Sequence, residues 1–278
     1  MVDSNLPRLE IDWDKESFKA ERPLFSWDAN EVTVAQVRRY INWRQFHSFW
    51  HTTPYTKEGR ALRNEAERVL DRLDNLTFRG RVNSYYAYST ESSIEVKISN
   101  GTISIPTPRQ QSVNTQGVAL SLADFVAPKG YNDQICLFAV TVPEQLVAMV
   151  ERYKEEGDDY NALFYQSLAD RIVEAASEYI HRKTRNSWLH YYMENSAEEC
   201  AAEKNLTLQQ LFAAKYRGIR PAVGYPCLPN QSVIFDIDRA LNLNRIGITI
   251  TESGAMYPQS SVCGVYIGAK DAKYFIIA

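Results

Sequence analysis

Cysteine is scarce in this chain, and its four copies, Cys136, Cys200, Cys227 and Cys263, are widely separated. None of them stands in a Cys-x-x-Cys pair, which argues against a zinc or disulfide framework and indicates a reducing cytoplasm. Long apolar runs are missing too, since no stretch approaches the roughly 18 residues of a membrane-spanning helix. The N-terminus also lacks a basic region followed by an apolar stretch, so no signal peptide is predicted. These absences predict a cytoplasmic protein without a membrane segment.

Charge of one sign is not in excess, and the common nucleotide and hydrolase fingerprints are missing. The 278 residues carry a net charge of −3 with 23% charged side chains, which gives no electrostatic reason to expect a nucleic acid or a membrane as partner. The sequence contains no Gly-x-Gly-x-x-Gly, P-loop or Gly-x-Ser-x-Gly. Tyrosine is abundant, with 17 copies, which suits a core with half-polar contacts or a ligand groove.

The order of helical and strand-like patterns favours an α+β fold. Residues 1–30 are polar, contain Pro7 and Pro23, and are predicted to form an extended lead-in. Apolar residues recur at helical spacing in five segments: 33–51, 57–76, 144–156, 159–190 and 206–216. Strands are predicted for 81–88, 93–98, 102–105, 134–142, 247–251, 261–266 and 273–277, with Asn100-Gly101 as a hairpin turn. Because no regular βαβ order results, we expect one domain, residues 1–278, with a mainly antiparallel twisted sheet and flanking helices.

Residues 220–229, which read Arg-Pro-Ala-Val-Gly-Tyr-Pro-Cys-Leu-Pro, are the most informative stretch. Arg220 offers a planar fork for a carboxylate, and Gly224 lets a ligand approach the main chain. The flanking prolines lower the entropy that is lost when the loop becomes ordered. A second distinctive run, 251–266, follows closely. Together the two runs indicate a small-molecule site.

Two histidine motifs have the spacing of metal ligands without the residues that usually accompany them. His47 and His51 stand at i and i+4, but Ser48 occupies the place where zincin helices carry a glutamate. Glu178 and His181 have the Glu-x-x-His spacing of carboxylate-bridged metal bundles, but only one copy is present where two are required. We therefore predict no metal site, and we expect the second motif to lie on a solvated helix face.

Two further polar groups leave their role open. On the predicted helix 159–190, four polar residues form a stripe opposite the apolar face: Asp170, Glu174, Ser177 and His181. Such a stripe is usually solvated, and its alternative use is to line a cleft and bind a ligand or partner. The run Arg109-Gln110-Gln111 combines a cation with two amides after two prolines, and a surface turn is the favoured interpretation.

Taken in order, these segments resemble the reactivation domain of cobalamin-dependent methionine synthase, which binds S-adenosylmethionine. The likeness covers most of the chain and rests on six groups of residues: Tyr-Ile-Asn-Trp at 40–43, Arg-Gln-Gln at 109–111, Ser-Leu-Ala-Asp-Phe-Val-Ala-Pro at 121–128, the helix segment 168–181, Tyr-Arg-Gly-Ile-Arg-Pro at 216–221 with the following Gly-Tyr-Pro, and Thr-Glu-Ser-x-Ala-Met-x-Pro at 251–258. Their common order is hard to obtain by chance.

The resemblance implies a role in repairing an oxidised cobalamin. Such domains present S-adenosylmethionine to cob(II)alamin in a cobalamin-carrying methionine synthase chain, while a flavodoxin-type donor supplies one electron. The domain mainly positions the ligand, so no catalytic residue of its own is expected. Because 278 residues cannot also hold the homocysteine, folate and cobalamin sites, the resemblance implies a reactivation subunit that works in trans. It would be a component of a methyltransferase of the 5-methyltetrahydrofolate–homocysteine type and not a complete enzyme.

The motif match also assigns individual residues. The S-adenosylmethionine site would comprise Asn42, Arg220, Ala222, Gly224, Tyr225, Tyr266 and Ile267. Arg220 would hold the ligand's carboxylate, and the tyrosines would pack near its sulfonium. Three residues would face the cobalamin of the partner chain: Glu174, Met256 and Tyr257.

Two departures from the family pattern bear on affinity. Asn42 stands where the family has an aspartate for the ligand's ammonium, and Ala214 stands where an acidic residue often occurs. Without these two carboxylates, binding would be weaker by a few kcal/mol if both made direct contacts. A non-catalytic corrinoid-protein partner that has lost tight S-adenosylmethionine binding is therefore the alternative, and a binding protein for another amino-acid-like ligand is a third possibility.

Overall fold

The computed structural model describes residues 6–16, 24–187, 201 and 203–277 of the chain. Its N-terminal half contains the helices α1 (Trp13–Glu16), α2 (Val34–Val37), α3 (Trp43–Phe49) and α4 (Lys57–Leu73), and the strands β1 (Ser26–Asp28), β2 (Arg79–Ser89), β3 (Ser93–Ile98) and β4 (Gly101–Pro106). Its C-terminal half contains β5 (Gln134–Thr141), α5 (Glu144–Glu155), α6 (Asp159–Ser187), α7 (Leu208–Phe212), α8 (Val233–Leu241), β6 (Thr249–Ile250), β7 (Met256–Tyr257) and β8 (Ser261–Tyr266).

The main sheet is antiparallel, as the sequence predicts. Its strands follow the order β4-β3-β2-β5-β8, and β1 adds to β2 beside β3. The β3–β4 hairpin turns at Ser99-Asn100, one residue before the predicted dipeptide, because Gly101 already pairs with Ile98 as the first residue of β4. Gly101 has a φ of 125°, a conformation that favours glycine. The short strands β6 and β7 form a separate ribbon. The α+β prediction with a mainly antiparallel sheet and flanking helices is therefore confirmed.

Strand β5 explains why the sheet has a core on each face. All eight of its residues are buried, so it reads as a continuous apolar run and not as an alternation. Cys136 and Phe138 point into the core that α6 covers, whereas Ile135 and Leu137 belong to the core that α8 covers. Side chains of successive strand residues face opposite sides, so both layers are anchored on this one strand.

The predicted helix 33–51 is wrong as a single element. It is α2, a 3₁₀ turn at Arg38–Tyr40, and then α3, because the chain bends at Ile41-Asn42. Asn42 caps α3, and its side-chain oxygen accepts a hydrogen bond from the backbone N–H of Gln45 at 3.3 Å. The bend turns the Asn42 side chain toward the cleft described below.

Three other predictions need adjustment. The predicted strand 273–277 does not pair as a strand. Ile277 donates to the carbonyl of Pro226 at 3.2 Å, and the carbonyl of Ile276 accepts from Gln110 Nε2 at 2.8 Å. The predicted helix 206–216 ends at Phe212, and Ala214 has a φ of 50° in the turn that follows. The predicted lead-in 1–30 is not extended throughout, because it contains α1 and β1. Part of this lead-in and the predicted end of helix 159–190 lie outside the described residues. Within the described ranges, no helix combines the length and apolarity that crossing a bilayer requires.

Arg109 has a structural role in this fold. Its guanidinium makes a two-pronged ion pair with Asp124, with Nη1–Oδ2 at 2.7 Å and Nη2–Oδ1 at 2.6 Å. Asp124 in turn caps the 3₁₀ turn Leu122–Phe125 by accepting from the backbone N–H of Ser121. The interpretation of 109–111 as a free surface turn is therefore wrong for the arginine, which ties two loops together.

Candidate functional site

A cleft of about 570 Å³ lies between helix α6 and the loop that carries Arg220. The first turn of α3 and the residues after α7 complete its walls, and its volume is in the range of small-molecule sites. Its lining mixes charge with aromatic rings: Glu174, Glu178, Arg220, Tyr216, Tyr225 and Tyr274. The cleft therefore suits a ligand that carries both charged groups and an apolar or cationic surface.

The Arg220 loop is fixed by pairing with the free edge of β8. Val223 donates to the carbonyl of Cys263 at 2.9 Å, and Val265 donates to the carbonyl of Pro221 at 3.0 Å. This close approach requires Gly264, because a Cβ there would lie 2.2 Å from the Pro221 oxygen. Backbone hydrogen bonds to a buried strand make the loop a rigid support for the arginine.

The Arg220 side chain is already engaged with the acidic face of α6. Its Nε donates to Glu178 Oε2 at 2.9 Å, its Nη1 donates to Ser177 Oγ at 3.1 Å, and its Nη1 lies 3.6 Å from Glu174 Oε2. Its backbone N–H donates to Tyr274 Oη at 2.9 Å. Burial disfavours the charge most, but Glu178, Tyr274 and Glu174 together outweigh burial, so the pKa of Arg220 is held well above its ordinary value. The guanidinium is a permanent cation in the cleft wall.

Glu178 carries a buried oxygen that has no partner. Its residue is 5% exposed, and Oε2 accepts from Arg220 and, at 3.4 Å, from Tyr216 Oη. Its other oxygen, Oε1, is buried and has no hydrogen bond within the described part of the chain. A buried carboxylate oxygen without a donor is costly, by several kcal/mol for a charged group. Since Glu178 lines the cleft, a ligand that donates hydrogen bonds there would remove this cost if a rotation of the carboxylate brought Oε1 to the cleft surface.

The polar stripe on α6 lines the interior of the protein and is not a solvated face. Ser177 is fully buried, and His181 is 1% exposed, so the expectation of a solvated face for Glu178 and His181 is wrong. Arg185 Nη1 donates to His181 Nδ1 at 2.6 Å and its guanidinium also pairs with Glu203 at 2.8 Å. Ser177 and His181 are covered by Arg220 and Tyr216. Of the four residues of the stripe, Glu174 alone lines the cleft, so the alternative role holds for that residue.

His181 gives the fold a pH dependence that can be measured. Burial, and then the positive charges of Arg185 and Arg220, hold its pKa well below the ordinary 6.5. Below about pH 6.5 the unfolded chain takes up a proton on His181 while the folded chain does not, so we expect the free energy of unfolding to fall by up to ~1.4 kcal/mol per pH unit from this group. Chemical denaturation of the wild type and His181→Asn at about pH 7.5 and 5.5 should show a smaller loss in the variant. Equal losses would contradict this role of His181.

Four of the residues predicted for the site lie together in the cleft. Asn42, Glu174, Arg220 and Tyr225 all line it, although Glu174 was predicted for the cobalamin-facing surface. Tyr225 Oη lies 3.4 Å from Glu174 Oε2, and burial followed by that carboxylate raises the pKa of Tyr225 to about 12. The phenol therefore stays neutral and can donate a hydrogen bond across the cleft.

The other predicted residues lie behind the cleft or away from it. Ala222 and Ile267 are buried in the pairing between the Arg220 loop and the end of β8, and Tyr266 is 1% exposed and stacks on Phe138 at 4.4 Å. Gly224 has a φ of 87° in the turn that presents Tyr225. The last two predicted residues, Met256 and Tyr257, form β7 of the separate ribbon and do not line the cleft.

The two histidines of the predicted pair do not share a helix face. Helix α3 ends at Phe49, and His51 follows with a φ of 49°. His47 is buried and its Nδ1 bonds Thr52 Oγ1 at 3.1 Å. Among the described residues, no group of three or more His, Cys, Asp or Glu side chains is placed to hold a metal ion.

Chemically, the Arg220–Glu178 pair presents a cation beside an unsatisfied anionic oxygen. An α-amino acid group carries its carboxylate and its ammonium on one carbon, so it can meet both at once. The tyrosines around the pair supply hydroxyl donors and ring faces, which attract a cation such as a sulfonium. The arrangement therefore selects for a zwitterionic ligand with an additional apolar or cationic portion.

Glu178 is, with His181, a residue that sequence reasoning placed wrongly on a solvated face. It follows Glu174 by four residues, so both carboxylates project from one side of α6. That spacing was available as a signal, but whether the side faces solvent depends on the loops that cover it. Tyr216 and Tyr274 were missed as cleft residues for the same reason.

Comparison with known proteins agrees with this architecture. The family profile described as "Vitamin B12 dependent methionine synthase, activation domain" matches residues 33–278. A crystal structure of the MetH reactivation domain bound to AdoHcy is similar with a TM-score of 0.83 and 29% sequence identity, over 98% of this chain and 86% of that chain. The chain belongs to the family of activation domains of vitamin B12-dependent methionine synthase.

Proposed function

We propose that the chain binds S-adenosylmethionine in the cleft and supports the reductive methylation of cob(II)alamin carried by a separate methionine synthase chain in the cytoplasm. Family membership supports the reaction, and the bound AdoHcy of the similar crystal structure supports the ligand class. The single observation that carries the proposal for this chain is the buried Oε1 of Glu178, which has no partner among the described residues and lies beside Arg220 in the cleft.

The ligand's amino acid group would lie across the Arg220–Glu178 pair. Its carboxylate would take the outer donors of Arg220, and its ammonium would donate to Glu178 Oε1, which compensates for the uncharged Asn42. Asn42 retains an amide on the opposite wall, as an additional uncharged partner. This arrangement replaces the lost aspartate by a carboxylate that the fold already holds in place.

The remaining portion of the ligand would pack among the aromatic side chains of the cleft. Tyr216, Tyr225 and Tyr274 line it, and the half-exposed Glu174 adds a negative charge near the Tyr225 hydroxyl. A sulfonium is favoured both by a tyrosine face and by a nearby carboxylate. Four predicted residues behind the cleft would fix the Arg220 loop and the end of β8: Ala222, Gly224, Tyr266 and Ile267.

The contribution of this chain to the reaction would be orientation. The methyl group that is transferred belongs to the ligand, and the cobalamin that receives it belongs to the partner chain, with one electron from a flavodoxin-type donor. The chain would hold the sulfonium at the mouth of the cleft and exclude competing orientations. Orienting the reactants in this way removes a large part of the barrier in such transfers. On the separate ribbon, Tyr257 is 52% exposed and available for contact with the partner, whereas Met256 packs partly against the core.

Replacing Glu178 with glutamine should weaken S-adenosylmethionine binding by about tenfold or more, because a charged hydrogen bond to the ammonium is lost, worth ~1.5–3 kcal/mol. Glutamine still accepts from Arg220 Nε, so the loop should keep its position. Glu174→Gln is the matched control, and because its side chain is 33% exposed and screened by solvent, we expect a change below about threefold. Isothermal titration calorimetry of both variants measures the difference, and equal losses would refute the assignment of the ammonium.

Reconstitution in trans tests the proposed function. A methionine synthase chain that lacks its reactivation domain and carries cob(II)alamin would be mixed with this chain, S-adenosylmethionine and a one-electron donor. Formation of methylcobalamin, followed by its absorbance, is the expected result. If the chain binds the methionine synthase but no methylcobalamin forms, the second candidate holds, a non-catalytic corrinoid-protein partner. The uncharged Asn42 and Ala214 are the observation that favours this second candidate.

A further inference from the structure

A second cavity, of about 690 Å³, lies on the far side of the first turn of α3. The cleft is lined by Asn42 and Gln45, whereas this cavity is lined by the intervening Trp43 and Arg44 together with the loop before α4 and its first turns. The two sites share no lining residue among those described. A ligand in one would therefore not occupy the other.

The charge of the second cavity has one sign. Arg44, Arg60 and Arg63 line it, and no carboxylate does so among the described lining residues. The Arg63 side chain is already engaged within the protein, because it stacks on Trp43 at 3.3 Å and its Nε donates to Glu67 Oε1 at 2.7 Å. Arg44 has no hydrogen bond or ion pair within the described part of the chain, and Arg60 bonds the carbonyl oxygen of Tyr55. Donors of Arg44 and Arg60 thus remain for an anion.

The wall of the second cavity also contains the imidazole of His47. His47 is 4% exposed and lines the cavity, and its Nδ1 is used by Thr52. Its Nε2 has no hydrogen bond with any described residue. Burial, and then the charge of Arg63, lowers the pKa of His47, so the ring adds a neutral polar atom to the wall. Hydroxyl groups of Ser48 and Thr53 lie in the same wall.

The rim of the cavity carries an aromatic side chain with no packing partner. Tyr55 lies two residues before α4, is 86% exposed and makes no ring contact with another described residue. An exposed aromatic ring can stack on a planar heterocycle, and cations beside that ring can bind the phosphates of the same molecule. The volume is also sufficient for such a molecule.

We propose that this second cavity binds an anionic heterocycle of the nucleoside diphosphate class, with its phosphates on Arg44 and Arg60 and its ring against Tyr55. The proposal concerns a site separate from the S-adenosylmethionine cleft and does not depend on the proposed function. An adenine nucleotide is a suitable probe because its ring and its phosphates can also be supplied separately, as adenosine and as inorganic pyrophosphate.

Isothermal titration calorimetry with ADP at low ionic strength tests the proposal. We expect one ADP per chain, bound more tightly than adenosine or pyrophosphate alone. Arg44→Glu and Arg60→Glu should each weaken ADP binding by about tenfold or more, because a charged hydrogen bond becomes a repulsion. Arg68→Glu makes the same charge change on the exposed face of α4, outside the cavity, and should change the affinity by less than about twofold.

Three outcomes would overturn the proposal. The first is the absence of heat with ADP up to about millimolar concentration. The second is an equal loss in Arg68→Glu, which would show attraction to basic surface in general. The third is tighter ADP binding in Glu178→Gln. Because Glu178 lines the cleft, removing its negative charge would favour an anion there, so this result would place ADP in the cleft. An unchanged affinity of Glu178→Gln for ADP supports binding in the second cavity. This result does not depend on whether the chain binds S-adenosylmethionine in the cleft.

Discussion

Replacing Arg220 with alanine is expected to abolish measurable S-adenosylmethionine binding and to destabilise the fold. The ligand would lose two charged hydrogen bonds to its carboxylate, which together are worth ~3 kcal/mol or more, a factor above about 100 in affinity. The fold would also lose the partner of Glu178, whose side chain is 7% exposed. Removing one member of a buried ion pair costs ~3–5 kcal/mol because the other charge stays buried.

A double variant separates these two effects. Adding Glu178→Gln to Arg220→Ala removes the stranded charge, so we expect part of the lost free energy of unfolding to return while binding stays absent. Urea denaturation measures the first quantity and calorimetry the second. A single Arg220→Ala variant that binds S-adenosylmethionine with unchanged affinity would refute the placement of the carboxylate.

Replacing Gly264 with alanine is the second change with a large expected effect. A Cβ at this position would lie 2.2 Å from the Pro221 oxygen and 2.7 Å from Ala222 Cα, and these backbone atoms cannot rotate away. The Arg220 loop would have to leave the edge of β8, with loss of the bonds between Val223 and Cys263 and between Val265 and Pro221. We expect the free energy of unfolding to fall by ~2–3 kcal/mol, and ligand affinity to fall more than about tenfold.

Gly80→Ala provides the control for this change. Gly80 lies in β2 of the same sheet, and the atom nearest to an added Cβ would be the Ala139 oxygen at 3.1 Å, so a small adjustment suffices. We expect a loss below ~1 kcal/mol and no change in ligand affinity. If Gly264→Ala bound the ligand as tightly as Gly80→Ala does, the pairing with β8 would not be what positions Arg220.

The elements that the sequence predicted well are those whose signal is local. The β3–β4 hairpin follows from its alternation and from Asn100-Gly101, and β5 follows from an apolar run of strand length. Helix α8 (Val233–Leu241) was missed although Val233, Ile237 and Leu241 have the same helical spacing. Its signal is local as well, so this helix was predictable from the sequence.

The site was predictable only in part, because its geometry depends on long-range packing. Arg220 and Tyr225 stand out through the glycines and prolines around them, and both line the cleft. The role of Glu178 depends on a loop 42 residues away that covers α6 and so converts a polar helix face into a wall. The bend that brings Asn42 to the cleft comes from the Asn42 side chain, which caps α3. This local hydrogen bond starts a new helix where the apolar spacing of the sequence would allow one continuous helix.

Calorimetric titration of the wild-type chain with S-adenosylmethionine tests the central claim most directly. We expect heat with one binding site per chain and competition by S-adenosylhomocysteine for that site, because both ligands carry the amino acid group that meets Arg220 and Glu178. No heat with either ligand up to about millimolar concentration would contradict it, and the buried oxygen of Glu178 would then need another explanation.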